Sequence, residues 1–151
     1  MLYRRVAAQS GVNHYILVFD PGDEAIAELT RFAKETGVTA ASFTGIGGCQ
    51  RLTVSTFSWE EKRYVPIDIE EQVELTSLIG DIAILDGAPS IHAHIVVAKS
   101  DGSARGGHLL NAIVRPTLEV AVTEYPVHLH KRLRAGIPIP TIDVVNSTVR
   151  D

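Results

Sequence analysis

The sequence predicts an α+β fold: a mainly antiparallel β-sheet of about seven strands with one long helix packed on it. Three observations lead there. The best helix candidate is residues 23–36, where apolar side chains recur at the three-and-four spacing of a helix. Seven or more short runs are rich in β-formers. The gaps between those runs are of hairpin length, which joins antiparallel neighbours, whereas a doubly wound parallel sheet needs many more crossover helices.

The elements are read in chain order. His14–Phe19 is short and rich in β-formers, and Asp20-Pro21-Gly22 stops it as a turn. The helix follows, from about Asp23 to Thr36, with Ile26, Leu29, Phe32 and Ala33 on one face. Asp23 and Glu24 suit its positive start and Gly37 its C-terminal cap. Val38–Thr44 reads as a strand that runs into a glycine-rich bend, Gly45-Ile46-Gly47-Gly48. Leu52–Trp59, Tyr64–Ile69 and Val73–Ile84 are further strands, the last interrupted by Gly80-Asp81. Asp86 to Pro89 is a turn, Ile91–Ala98 a strand, and Ser100 to Ser103 a turn. His108–Val114 is a strand that Pro116 is expected to break, with Thr117–Glu124 next. His128–Arg134 is a short helix or an edge segment, and the prolines keep Ile137 to Pro140 extended.

A chain of 151 residues, 45% hydrophobic and 21% charged, is long enough to bury a core as a single domain, 1–151. The net charge is −4, which argues against nonspecific nucleic-acid binding. One cysteine, Cys49, makes no internal disulfide and reads as a small core or loop residue. No run approaches the roughly 20 apolar residues of a membrane helix, and the first residues lack a signal peptide's apolar stretch, so no membrane partner and a cytoplasmic address are expected.

The histidines hold the chemistry. His92 and His94 flank Ala93 on a strand, where residues two apart share a face, so both imidazoles project together. The partner strand of the hairpin supplies the third. Paired residues in an antiparallel hairpin have a constant index sum, and a loop centred on Asp101 places His94 opposite His108. A two-residue turn would put His108 on the wrong face, unless Gly106-Gly107 shifted the register by a bulge. Three neutral imidazoles with an open fourth position suit a divalent metal, zinc first, and also manganese, iron, cobalt or nickel. Glu119, on the strand after the hairpin, reads first as a solvated strand carboxylate and second as a group that orients a histidine from behind.

The remaining features read as structural. His128 and His130 precede the basic run Lys131 to Arg134, which disfavours a cation and reads as a solvated face. Gly45 to Gly48 does not have the spacing of a phosphate or dinucleotide loop. Phe57 and Trp59 share strand parity and suit either the core or a subunit contact.

Taken together, Thr44-Gly45-Ile46-Gly47, Ser77-Leu78-Ile79-Gly80, Ile91-His92-Ala93-His94, Gly106-Gly107-His108-Leu109 and Glu119 resemble the plant-and-prokaryote conserved (PPC) domain family, in its stand-alone prokaryotic form. The likeness spans roughly Leu17 to Glu124. It implies an α+β fold, a homotrimer, and metal-site histidines at His92, His94 and His108. In plants the domain is joined to an AT-hook that enters DNA, and it also contacts other proteins. This sequence shows no AT-hook segment, so direct DNA binding is not expected. Three readings follow in order: a metal-binding trimer of unassigned reaction, a protein-interaction module with structural histidines, and last a DNA-binding protein.

Overall fold

The computed structural model of the chain describes residues 1–149. Strand β1 (Leu2–Gln9) and strand β2 (Val12–Phe19) form an N-terminal hairpin, followed by helix α1 (Ala25–Thr36). Next come β3 (Ala41–Ser58), β4 (Arg63–Ile69), β5 (Val73–Leu85), β6 (Ala88–Ala98) and β7 (Ala104–Glu124). The chain closes with β8 (Val127–His128), β9 (Lys131–Arg134), β10 (Ile137–Ile142) and β11 (Thr148–Val149).

The first seven strands make one antiparallel sheet in the order β1-β2-β7-β6-β5-β3-β4. A further pairing of β7 with β3 closes the circuit β7-β6-β5-β3. The expected α+β class and mainly antiparallel sheet of seven strands are therefore present, with a ring at their centre.

Alternation along the strands explains the layering. In β2, Tyr15, Leu17 and Phe19 are buried while His14, Ile16 and Val18 are exposed. In β6, Ala93, Ile95 and Val97 point inward. Helix α1 buries Leu29 and Phe32 fully against this inner face, and Phe32 meets Tyr15 edge-to-face at 5.1 Å. The helix starts two residues later than expected because Glu24 is its cap, accepting from the backbone N–H of Ile26 at 3.2 Å and Ala27 at 2.7 Å. Gly37 ends it at φ 72°, a left-handed conformation that suits glycine.

Three expectations are corrected. Leu2–Gln9 is a strand that the pattern did not mark, because every residue in it is exposed. Pro116 does not break its strand: β7 runs through a cis Arg115–Pro116 bond for 21 residues. Gly45 to Gly48 is not a bend that ends a strand but lies within the 18-residue β3. A Cβ on Gly48 would stand 2.4 Å from the Arg115 carbonyl oxygen, so glycine is what lets β3 pass β7 at the proline.

The C-terminal segment is neither helix nor a purely solvated face. It forms two small ribbons, β10-β9 and β11-β8. A parallel bridge from His130 to Ile84 ties it to β5, with the Ile84 N–H donating to the Leu129 carbonyl at 2.7 Å. No described helix is long and apolar enough to cross a membrane.

Candidate metal centre

Register builds the site. The β5–β6 pairing sets Asp81 opposite His92 and Ile79 opposite His94, and the β6–β7 pairing sets His94 opposite His108. The last pair also has Ala98 opposite Ala104, so the hairpin loop is the odd one centred on Asp101. Lys99 and Ser103 close it, the Lys99 N–H donating to the Ser103 carbonyl at 2.9 Å. No glycine bulge is used; Gly106 and Gly107 pair in the ladder with Val96 and Ile95. Glycine at 107 allows β3 to approach, since a Cβ there would meet the Ser55 carbonyl oxygen at 2.8 Å.

The three expected histidines come together. Their ring centroids lie 5.1 Å (His92–His108), 5.2 Å (His92–His94) and 5.4 Å (His94–His108) apart. One nitrogen from each ring falls within 4.8 Å of the others. Two imidazoles on one ion, at about 2.1 Å each, have nitrogens no more than roughly 4.2 Å apart, a difference within reach of side-chain rotation at the half-exposed His92 and exposed His94.

His108 is the anchored member. Its ring stacks on Tyr64 at 4.7 Å with a 25° tilt, and Tyr64 in turn meets Phe57 edge-to-face at 5.3 Å. Its Nδ1 is buried without a hydrogen-bond partner. Burial, followed by the nearby charges of His92, His94 and Lys131, pushes its pKa down to about 4. Burial and the neighbouring His92 lower that of His94 as well. At neutral pH both rings are held in the unprotonated form that binds metal. A buried, unpartnered nitrogen in a triangle of imidazoles fits a divalent cation.

Behind His92 stands Asp81, not Glu119. The His92 Nδ1 lies 3.3 Å from Asp81 Oδ2, and the Lys131 Nζ lies 2.5 Å from Asp81 Oδ1. Burial would raise the Asp81 pKa, but the hydrogen bonds from His92 and Lys131 outweigh it and hold the carboxylate below its usual range. Glu119 lies elsewhere on the outer face of the ring. His94 pairs with Ile79, Ile79 with Thr44, and Thr44 with Ala121, two residues on from Glu119. Glu119 instead borders an apolar groove of about 430 Å³ with Ile16, Ile46 and Ile79.

Sequence reasoning also missed Tyr64 and Lys131. Lys131 was grouped with a solvated basic run, but its side chain is only 4% exposed. The other C-terminal histidines stay apart from the cluster: His128 Nδ1 is 2.7 Å from Thr39 Oγ1, and the His130 N–H donates to Ser147 Oγ. Trp59 is 60% exposed beyond the end of β3, with the Lys62 ammonium over its ring.

Comparison with known proteins gives a consistent picture. The family model of the Plants and Prokaryotes Conserved (PCC) domain matches residues 6–126. A solved structure of a proposed DNA-binding protein from Bacteroides thetaiotaomicron is 30% identical, with a TM-score of 0.85 over 93% of this chain and 96% of that one. A second proposed DNA-binding protein, from Ralstonia eutropha JMP134, is 31% identical, with a TM-score of 0.82 over 86% and 90% of the two chains. A metal-containing protein from Archaeoglobus fulgidus is 25% identical, with a TM-score of 0.79 over 95% and 99%. No curated protein matches the chain.

Proposed function

Because the chain belongs to the Plants and Prokaryotes Conserved domain family, we propose that it is a homotrimeric metalloprotein that holds one divalent ion, zinc by preference, on His92, His94 and His108. The observation that carries this reading is the triangle of imidazoles, with one nitrogen of each within 4.8 Å of the others, and a His108 whose buried Nδ1 has no hydrogen-bond partner. The contact to Asp81 supports it. A His92 that donates through Nδ1 keeps the lone pair of Nε2 for a metal, and a carboxylate behind a ligating imidazole makes it a better donor. The metal-containing relative from Archaeoglobus fulgidus supports it too. Three protein ligands leave a fourth position open, where a bound ion polarises a carbonyl or acidifies a water.

Metal analysis of untagged protein tests this reading. About one equivalent of divalent metal per chain is expected after zinc reconstitution, lost in His108→Ala with the strand content unchanged. Less than about 0.1 equivalent in the wild type overturns the reading.

A second reading, an interaction module with structural histidines, draws on the exposed apolar groove around Ile46 and Ile79. A His92→Ala/His94→Ala protein that keeps both its assembly and a partner favours it. The DNA-binding names of two relatives are not carried over, since a net charge of −4 gives phosphates little to bind.

A further inference from the structure

Beside the histidines lies a second feature that metal binding alone does not require. A cavity of about 200 Å³ is lined by Tyr64, Ser90, Ile91, His92, His108, Lys131, Ile139 and Pro140. Building on the metal reading, we propose that this cavity binds a small carboxylic acid, with its carboxylate held by the Lys131 ammonium and the ion on the histidines, and its short apolar tail against Tyr64, Ile91 and Ile139.

The argument starts from the cost of the lysine. An ammonium whose side chain is 96% buried has given up nearly all its water, and a fold rarely accepts that without use. Asp81 balances its charge, with Oδ1 2.5 Å from the ammonium. The same lysine borders the cavity together with two of the three candidate metal ligands. The lining therefore combines a buried cation and two candidate metal ligands with the apolar side chains of Tyr64, Ile91, Ile139 and Pro140. That polarity matches a carboxylate with a hydrocarbon tail.

Size and donor set narrow the class. Pockets for drug-sized ligands run from about 300 to 1,000 Å³, so a cavity of about 200 Å³ takes an acid of few carbons. A phosphate group is the poorer match. Among the described residues the wall offers one lysine and no arginine fork, and the cavity lies at no helix N-terminus.

The placement also looks purpose-built. Lys131, Ile139 and Pro140 come from β9 and β10, beyond the residues 6–126 that the family model matches. The C-terminal ribbon is thus what converts an open triangle of histidines on a sheet face into a walled pocket.

Full-length protein loaded with cobalt(II), whose visible spectrum reports on its ligands, tests this with propionate as the probe. Saturable spectral change is expected in the wild type. Lys131→Met should raise the half-saturating propionate about tenfold or more and leave cobalt affinity within about threefold. Lys131→Arg should retain binding. The double variant Lys131→Met/Asp81→Asn removes both members of the ion pair, so no lone buried charge threatens the fold. Held at cobalt concentrations that saturate its site, it should lose propionate as the single variant does.

Equal propionate binding in the wild type and both methionine variants overturns the proposal. So does propionamide binding as well as propionate, or inorganic phosphate binding where propionate does not. Wild-type protein that takes up cobalt but ignores propionate sinks the pocket and leaves the metal reading intact. Protein that takes up no cobalt sinks both.

Discussion

At residue scale, the site depends on what stands behind each imidazole. His92 is oriented by a carboxylate, His108 by an aromatic ring, and His94 by its position opposite His108 in the ladder. Removing the negative charge behind His92 should therefore weaken the metal without removing any ligand. Asp81→Asn is expected to lower zinc affinity about tenfold or more, read by competition with a chromogenic chelator. Unchanged affinity would mean that Asp81 serves Lys131 alone. Cys49 supports a contrasting prediction. It is fully buried, and burial raises its thiol pKa to about 11. The thiol is then protonated across neutral pH and closed to reagents. Iodoacetamide at pH 8 should leave the folded protein unlabelled and label it rapidly in denaturant; fast labelling of folded protein would contradict the placement of Cys49 in the core.

At the scale of elements, one carboxylate joins the helix to the sheet. Glu24 caps α1 and its Oε1 also accepts from the Ala112 N–H of β7 at 3.0 Å. Glu24→Ala removes the cap and leaves a part-buried N–H unpaired, so a loss of about 1–3 kcal/mol is expected. In thermal unfolding that is a fall of a few degrees per kcal/mol; no change would show that solvent replaces both bonds. The helix was legible because Leu29, Phe32 and Ala33 bury one face at helical spacing and Gly37 stops it. The histidine hairpin was legible because strand parity and the index sum are local arithmetic, and the odd loop at Asp101 satisfies them. What escaped the sequence depends on distant partners. β1 has no buried residue to mark a face: its backbone pairs with β2, and among its side chains Tyr3 reaches the helix through an edge contact to Phe32. Pro116 continues its strand because Gly48 on β3 leaves room beside it. Lys131 is buried only because the bridge from His130 to Ile84 lays it beside Asp81, 50 positions earlier. No window of sequence around residue 131 contains that information.

At the scale of the molecule, the outer face of the ring is unusually apolar for a surface. One register row runs Ile16, Ala121, Thr44, Ile79, His94 and His108 across neighbouring strands. Ile79 is 54% exposed and Ile46, in the same groove, 64%. Contiguous exposed apolar surface of this kind is where a second chain would bury the most apolar area. The trimer proposed from the family resemblance, three chains of 16.4 kDa or about 49 kDa, would cover this face. A charge at its centre tests this directly: Ile79→Asp should shift the mass measured by light scattering from about 49 kDa towards the 16.4 kDa of one chain. Because His92, His94 and His108 all lie on one chain, the dissociated variant should still take up its metal. Wild-type protein running at the mass of one chain would refute the trimer, and an Ile79→Asp protein that dissociates and loses its ion together would show that the neighbouring subunit helps to build the site.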